Sequence, residues 1–136
     1  MDLDQARAFV RDNDHAVLAT LRKDGTPQMS PINVAVDDGG AFVISSRETA
    51  YKVKNLRREP RAWLCVLPDG FYGQWVFVEG TVEIVSLPEA MEPLVDYYRR
   101  LSGEHPDWED YRAAMVRDAR CVIRISATRA GPDREG

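Results

Sequence analysis

The chain has 136 residues, 44% of them hydrophobic and 29% charged, with a formal net charge of -4. That suffices for one domain spanning residues 1–136, and the acidic balance excludes an indiscriminate nucleic-acid binder, which needs a basic surface to neutralise phosphates. No apolar run approaches the roughly 20 residues that cross a bilayer, and the acidic start Met1-Asp2-Leu3-Asp4 is no signal peptide, so a cytoplasmic location without membrane association is expected.

Residues 4–12 place Ala6, Phe9 and Val10 on one face of a helix. Residues 15–21 are an apolar run typical of a buried strand, and Asp24-Gly25 turns the chain. Residues 28–36 predict a second strand, with Pro31 marking an edge or a bulge. After the turn Asp37-Asp38-Gly39-Gly40, residues 41–45 complete a three-stranded meander.

A strand over residues 61–67 turns at Pro68-Asp69-Gly70 into a run over 72–85, in which Gly80 signals a bulge or a close backbone approach. Ser86 and Pro88 open a helix reaching about residue 101, and Asp107 caps a second one ending near residues 115–116. A last strand covers residues 120–126. Residues 127–136 lack periodicity, carry Gly and Pro, and predict a mobile tail. Short strands, Gly turns and intervening helices define the expected class: mainly β (α+β), a small closed antiparallel barrel with helical covers.

Between the third and fourth predicted strands lies Ser45-Ser46-Arg47-Glu48-Thr49-Ala50-Tyr51-Lys52-Val53-Lys54-Asn55-Leu56-Arg57-Arg58-Glu59-Pro60. Val53 and Leu56 give this cationic segment an inward stripe, and Pro60 stops the helix near Arg58. The first turn of a helix presents unpaired N–H groups and partial positive charge, so an anion can bind there. Ser45, Ser46 and Thr49 add hydroxyls, and Lys52 adds a point charge. A competing reading makes Ser45 and Glu48 a capping box that fills the same amides without a ligand.

Cys65 and Cys121 stand apart in apolar runs and read as free thiols. With only His15 and His105 besides, neither a metal site nor a hydrolytic triad is expected.

The order of motifs resembles the split-barrel flavin-binding proteins related to pyridoxamine 5'-phosphate oxidase, and within them the branch that uses the deazaflavin coenzyme F420. The resemblance rests on Val17-Leu18-Ala19-Thr20 with Asp24-Gly25-Thr26-Pro27-Gln28, on the segment from Lys52 to Ala62, on Val78-Glu79-Gly80-Thr81, and on the segment from Ser102 to Val116. It implies an antiparallel split β-barrel of the FMN-binding type. It also implies a homodimer with two cofactors at the interface, whose phosphate is held by Ser45, Ser46, Tyr51 and Lys52, with Asn55 nearby. Val17, Leu18, Ala19 and Thr20 would line the ring with backbone groups, and Trp75, Val76 and Phe77 would come from the partner subunit.

The implied activity is hydride transfer from reduced F420 to an unsaturated or conjugated small-molecule acceptor, with no catalytic side chain named. Lys54, Arg57 and Arg58 would suit the polyanionic tail of F420. The alternatives are an FMN-binding oxidoreductase and a non-catalytic protein that stores a flavin-like molecule.

Overall fold

A computed structural model describes residues 1–132. The elements in chain order are α1 (Leu3–Asp12), β1 (His15–Leu21), β2 (Pro27–Asn33), β3 (Ala35–Val36), β4 (Phe42–Arg47), α2 (Tyr51–Arg58), β5 (Arg61–Leu67), β6 (Val76–Val85), α3 (Met91–Ser102), α4 (Trp108–Arg117) and β7 (Arg120–Gly131). Helix starts follow local chemistry. Asp2 and Gln5 form a capping box on α1, and the Asp107 carboxylate accepts from the Asp110 amide at α4. The α3 helix begins later than its Ser86 signal suggests, because residues 86–90 form a turn in which the Ala90 amide donates to Ser86 O.

All strand pairings are antiparallel, in the spatial order β2-β1-β5-β6-β7-β4-β3. The two edge strands, β2 and β3, are consecutive in the chain and separated only by the buried Val34, whose amide donates to Asp14 O. One chain segment therefore serves both edges of a curled sheet. This replaces the expected closed barrel and three-stranded meander: β2 pairs with β1 alone, and β4 pairs with β7 and, over two residues, with β3. Among the described residues the architecture is α+β, a split half-barrel with four helices, the fold class that the resemblance implies.

Alternation along the strands defines two cores. The concave side buries Leu18, Phe42, Ile44, Leu64, Val78 and Ile123 against Val10 of α1 and Val53 and Leu56 of α2. On the other side, Ala35, Val43 and Val122 of β3, β4 and β7 pack against Leu94 and Val95 of α3 and Tyr111 of α4.

The predicted tail is corrected over residues 127–131. They continue β7, with Ala130 opposite Val78 and Gly131 opposite Phe77. Ala130 is buried in the concave core, which the exposed, weakly patterned residues around it hide at the sequence level. Residues 133–136 lie outside the described residues.

Where the register shifts between Glu79 and Gly80, a Cβ on Gly80 would meet Ser126 O at 2.4 Å. Gly80→Ala is expected to destabilise the fold by about 1–3 kcal/mol, the usual scale for overpacking, in equilibrium denaturation.

Candidate functional site

The open edges of β2 and β4 define the site. Past Phe42 and Val43, β4 has no strand on the side away from β7, and β2 has none on the side away from β1. A groove of about 530 Å³ lies here, lined by Pro31, Ile32 and Asn33 from β2, Ser45 from β4, Lys52 from α2, Tyr97 and Tyr98 from α3, Tyr111 and Met115 from α4, and Arg120 from β7. The Tyr97 hydroxyl donates to Asn33 O at 2.9 Å and lies beside the Ser45 backbone, so it pins the two edges across the split.

The groove holds two cations and no carboxylate. Neither Lys52 nor Arg120 makes a side-chain hydrogen bond or ion pair among the described residues. Burial, with the nearby Arg120 guanidinium, holds the Lys52 amine below the usual lysine value. Burial pushes the Tyr97 phenol up and the Tyr111 phenol up to about 12, so both stay protonated at neutral pH. The lining is a neutral aromatic wall with a cationic end.

Of the predicted phosphate ligands, Ser45 and Lys52 meet in this groove. Ser46 points into the concave side, 2% exposed, with its hydroxyl donating to Arg47 O. Tyr51 is 71% exposed, with the Lys54 ammonium over its ring. Asn55 is buried and committed elsewhere: its amide donates to Thr20 Oγ1 at 3.1 Å and Gln28 Oε1 at 2.8 Å, and its carbonyl accepts from Arg58. It is a strut beneath α2.

The capping-box reading also fails. The N-cap of α2 is Ala50, with no side-chain cap. The Glu48 carboxylate instead accepts from Arg57 and from the Ser86 hydroxyl, at 2.5 and 2.6 Å. With Arg57 held there and Arg58 donating to Leu21 O, Lys54 remains the uncommitted cation among the three suggested for a polyanionic tail.

The predicted ring-lining residues divide between the two faces of β1. Pairing with both β2 and β5 commits the β1 backbone over residues 15–19, so it has no free edge for a ring. Leu18 and Thr20 face the concave side, each 1% exposed, while Val17 and Ala19 face outward. There they join one surface across the register, with Pro31, Val17, Cys65 and Phe77 in one row and Met29, Ala19 and Trp63 in the next. Among the described residues no helix covers this face, because the buried sides of the four helices belong to the two cores. Trp75 and Phe77 are half-buried, whereas Val76 is buried in the concave core.

Sequence reasoning missed Arg120, Tyr97, Tyr98, Tyr111 and Met115. Arg120 opens β7 opposite Arg47, and two cations directly across a ladder repel. That pairing would have been the signal, but only once β4 and β7 were known to be neighbours. Among the described residues, no three His, Cys, Asp or Glu converge to hold a metal, and no helix is long and apolar enough to cross a membrane.

The profile of the pyridoxamine 5'-phosphate oxidase family matches residues 3–131. Among solved structures, a conserved hypothetical protein of Mycobacterium tuberculosis, Rv2991, is 27% identical at a TM-score of 0.78, over 100% of this chain and 92% of its own. A protein described as an F420 reductase is 23% identical at a TM-score of 0.72, over 92% of this chain and 94% of its own. A heme binding protein of Mycobacterium smegmatis is 21% identical at a TM-score of 0.68, over 97% of this chain and 55% of its own. The last two establish a shared fold.

The lowered value of Lys52 has a consequence for stability. The native amine loses its proton at a lower pH than the unfolded one, so in that window the unfolded chain binds more protons and stability rises with pH up to about 10.5. Lys52→Met, which removes the desolvated charge, is expected to melt no lower than wild type at pH 7. Its advantage should shrink as pH climbs toward the ordinary lysine value, in paired thermal melts.

Proposed function

This chain belongs to the pyridoxamine 5'-phosphate oxidase family, and from that premise we propose that it is an oxidoreductase holding a phosphorylated, ring-bearing redox carrier in the groove between β2 and β4. The observation that carries this reading is the pair Lys52 and Arg120, two neighbouring cations without a counter-ion in a neutral aromatic groove. A desolvated lysine beside an arginine is unfavourable in the bare protein, and a bound phosphate relieves both the burial and the repulsion.

The carrier we assign is coenzyme F420, with FMN as the alternative. The residues fit the shared part of both: Lys52 and Arg120 take the phosphoryl charge, Ser45 offers a hydroxyl, and the tyrosines offer flat apolar surface and phenolic groups. The fold likeness to an F420 reductase supports the deazaflavin choice. When bound, such a carrier supplies hydride chemistry toward a conjugated small-molecule acceptor. The protein binds it, orients it and excludes water.

The groove runs out at Pro31, which also belongs to the bare outer face. A second copy of this chain covers that face, and Val17, Ala19, Trp75 and Phe77 then border the ring. Apolar surface of this kind, open except where the Arg61 and Arg129 guanidiniums lie over Trp63 and Phe77, marks association sites. The two free cysteines suit a cytoplasmic setting.

Side-by-side titration calorimetry with F420 and FMN tests the carrier. Lys52→Ala and Arg120→Ala are each expected to weaken the preferred carrier by about 1–3 kcal/mol, the scale of a charge-assisted hydrogen bond. Unchanged affinity in both variants would refute the groove. Val17→Glu, which sets a charge in the bare face, is expected to halve the mass seen in analytical ultracentrifugation and to weaken carrier binding with it. A variant that stays at wild-type mass would remove the second copy from the proposal.

A further inference from the structure

The backbone of Glu48 lies next to the groove, and its carboxylate is not among the groups that line it. Glu48 sits two residues before the Ala50 N-cap of α2, and its amide donates to Ala119 O, placing it beside Arg120. Among the described residues, the Tyr51 and Lys52 amides in the first turn of α2 have no partner, and Lys52 and Arg120 have no counter-ion. An unconstrained glutamate so close to uncapped amides and two free cations would fold back onto them. It does not, because both its oxygens are engaged on the far side. Oε2 accepts from Arg57 Nη2 at 2.5 Å, Oε1 accepts from Ser86 Oγ at 2.6 Å, and Arg57 Nη2 also reaches Ser86 Oγ at 3.2 Å.

We propose that Arg57 and Ser86 form a latch that holds Glu48 away from the anion groove, so that an exogenous phosphate does not compete with the protein's own carboxylate. The inference rests on the reading of the groove as an anion site. Arg57 and Ser86 are positioning residues: neither lines the groove, and each acts through Glu48. The geometry supports a latch because the two anchors come from separate elements, the C-terminal turn of α2 and the turn after β6, and converge on one side chain. Released, the carboxylate gains three alternatives, namely the α2 amides, Lys52 and Arg120. Each is a partner that the carrier's phosphate would use.

The test measures affinity for FMN, F420 and inorganic phosphate in five folded variants. Arg57→Ala is expected to weaken all three probes about tenfold, with Ser86→Ala smaller in the same direction although it changes no charge. Glu48→Gln added to Arg57→Ala should restore affinity to within about twofold of wild type. Glu59→Gln added to Arg57→Ala has the same net charge but removes the partner of Arg61 instead, and it should not restore it. Equal rescue by both would reduce the effect to overall charge and overturn the latch, as would wild-type affinity in both Arg57→Ala and Ser86→Ala. Lys52→Met separates the two levels. If it leaves binding untouched, the groove reading falls and the latch with it. If it weakens binding while Arg57→Ala and Ser86→Ala do not, the latch alone falls.

Discussion

The site depends on the segment from β2 to β3 pairing with different strands along its length. Its first part lies against β1 and its last two residues against β4, with the buried Val34 between them. A strand that keeps its outer neighbour throughout closes a barrel. This one changes neighbours, so the ladder opens between β2 and β4. An open pair of sheet edges invites aggregation unless something covers it. Here α3 and α4 overhang the gap with Tyr97, Tyr98, Tyr111 and Met115, and Tyr97 ties the β2 edge across to β4. The defect in the ladder and the ligand groove are the same feature.

The cation in that groove is held by a helix too short to stand alone. At eight residues, α2 falls well below the length at which isolated helices persist in water. Val53 and Leu56 anchor it in the concave core, and Asn55 ties it to Thr20 and Gln28. Buried amide groups with every partner in place resist displacement, because each lost bond leaves a desolvated group behind. Lys52 is therefore held on a fixed helix, with its partial desolvation uncompensated among the described residues. Thr20 and Asn55, which the family resemblance set beside the cofactor, also fix the element that carries Lys52.

What the sequence revealed and what it concealed divide along locality. Strand and helix positions, the Asp107 cap, the close approach at Gly80 and the approach of Ser45 to Lys52 all follow from spacing within one short stretch. The split, the extension of β7 to Gly131 and the arrival of Arg120 beside Lys52 follow from which strands become neighbours. No periodicity encodes that. The Ser45–Glu48 spacing was ambiguous for the same reason: a cap and a salt bridge to Arg57 satisfy the same carboxylate, and Ser86, remote in sequence, helps decide between them.

Strand alternation also explains why β1, β5 and β6 present an outward row of apolar side chains. Along β1, Leu18 and Thr20 must point into the concave core if Val17 and Ala19 point out, and the β5 and β6 partners obey the same parity. The outward row Pro31, Val17, Cys65 and Phe77 thus starts at the mouth of the groove and runs across the sheet, with no helix above it among the described residues. A ligand anchored at Lys52 and extending past Pro31 would lie on this face, one side on protein and the other in water. On the proposed reading the hydride chemistry is better served by a dry enclosure. The wall proposed for the other side is then a symmetric second copy of the same face, which needs no further partner.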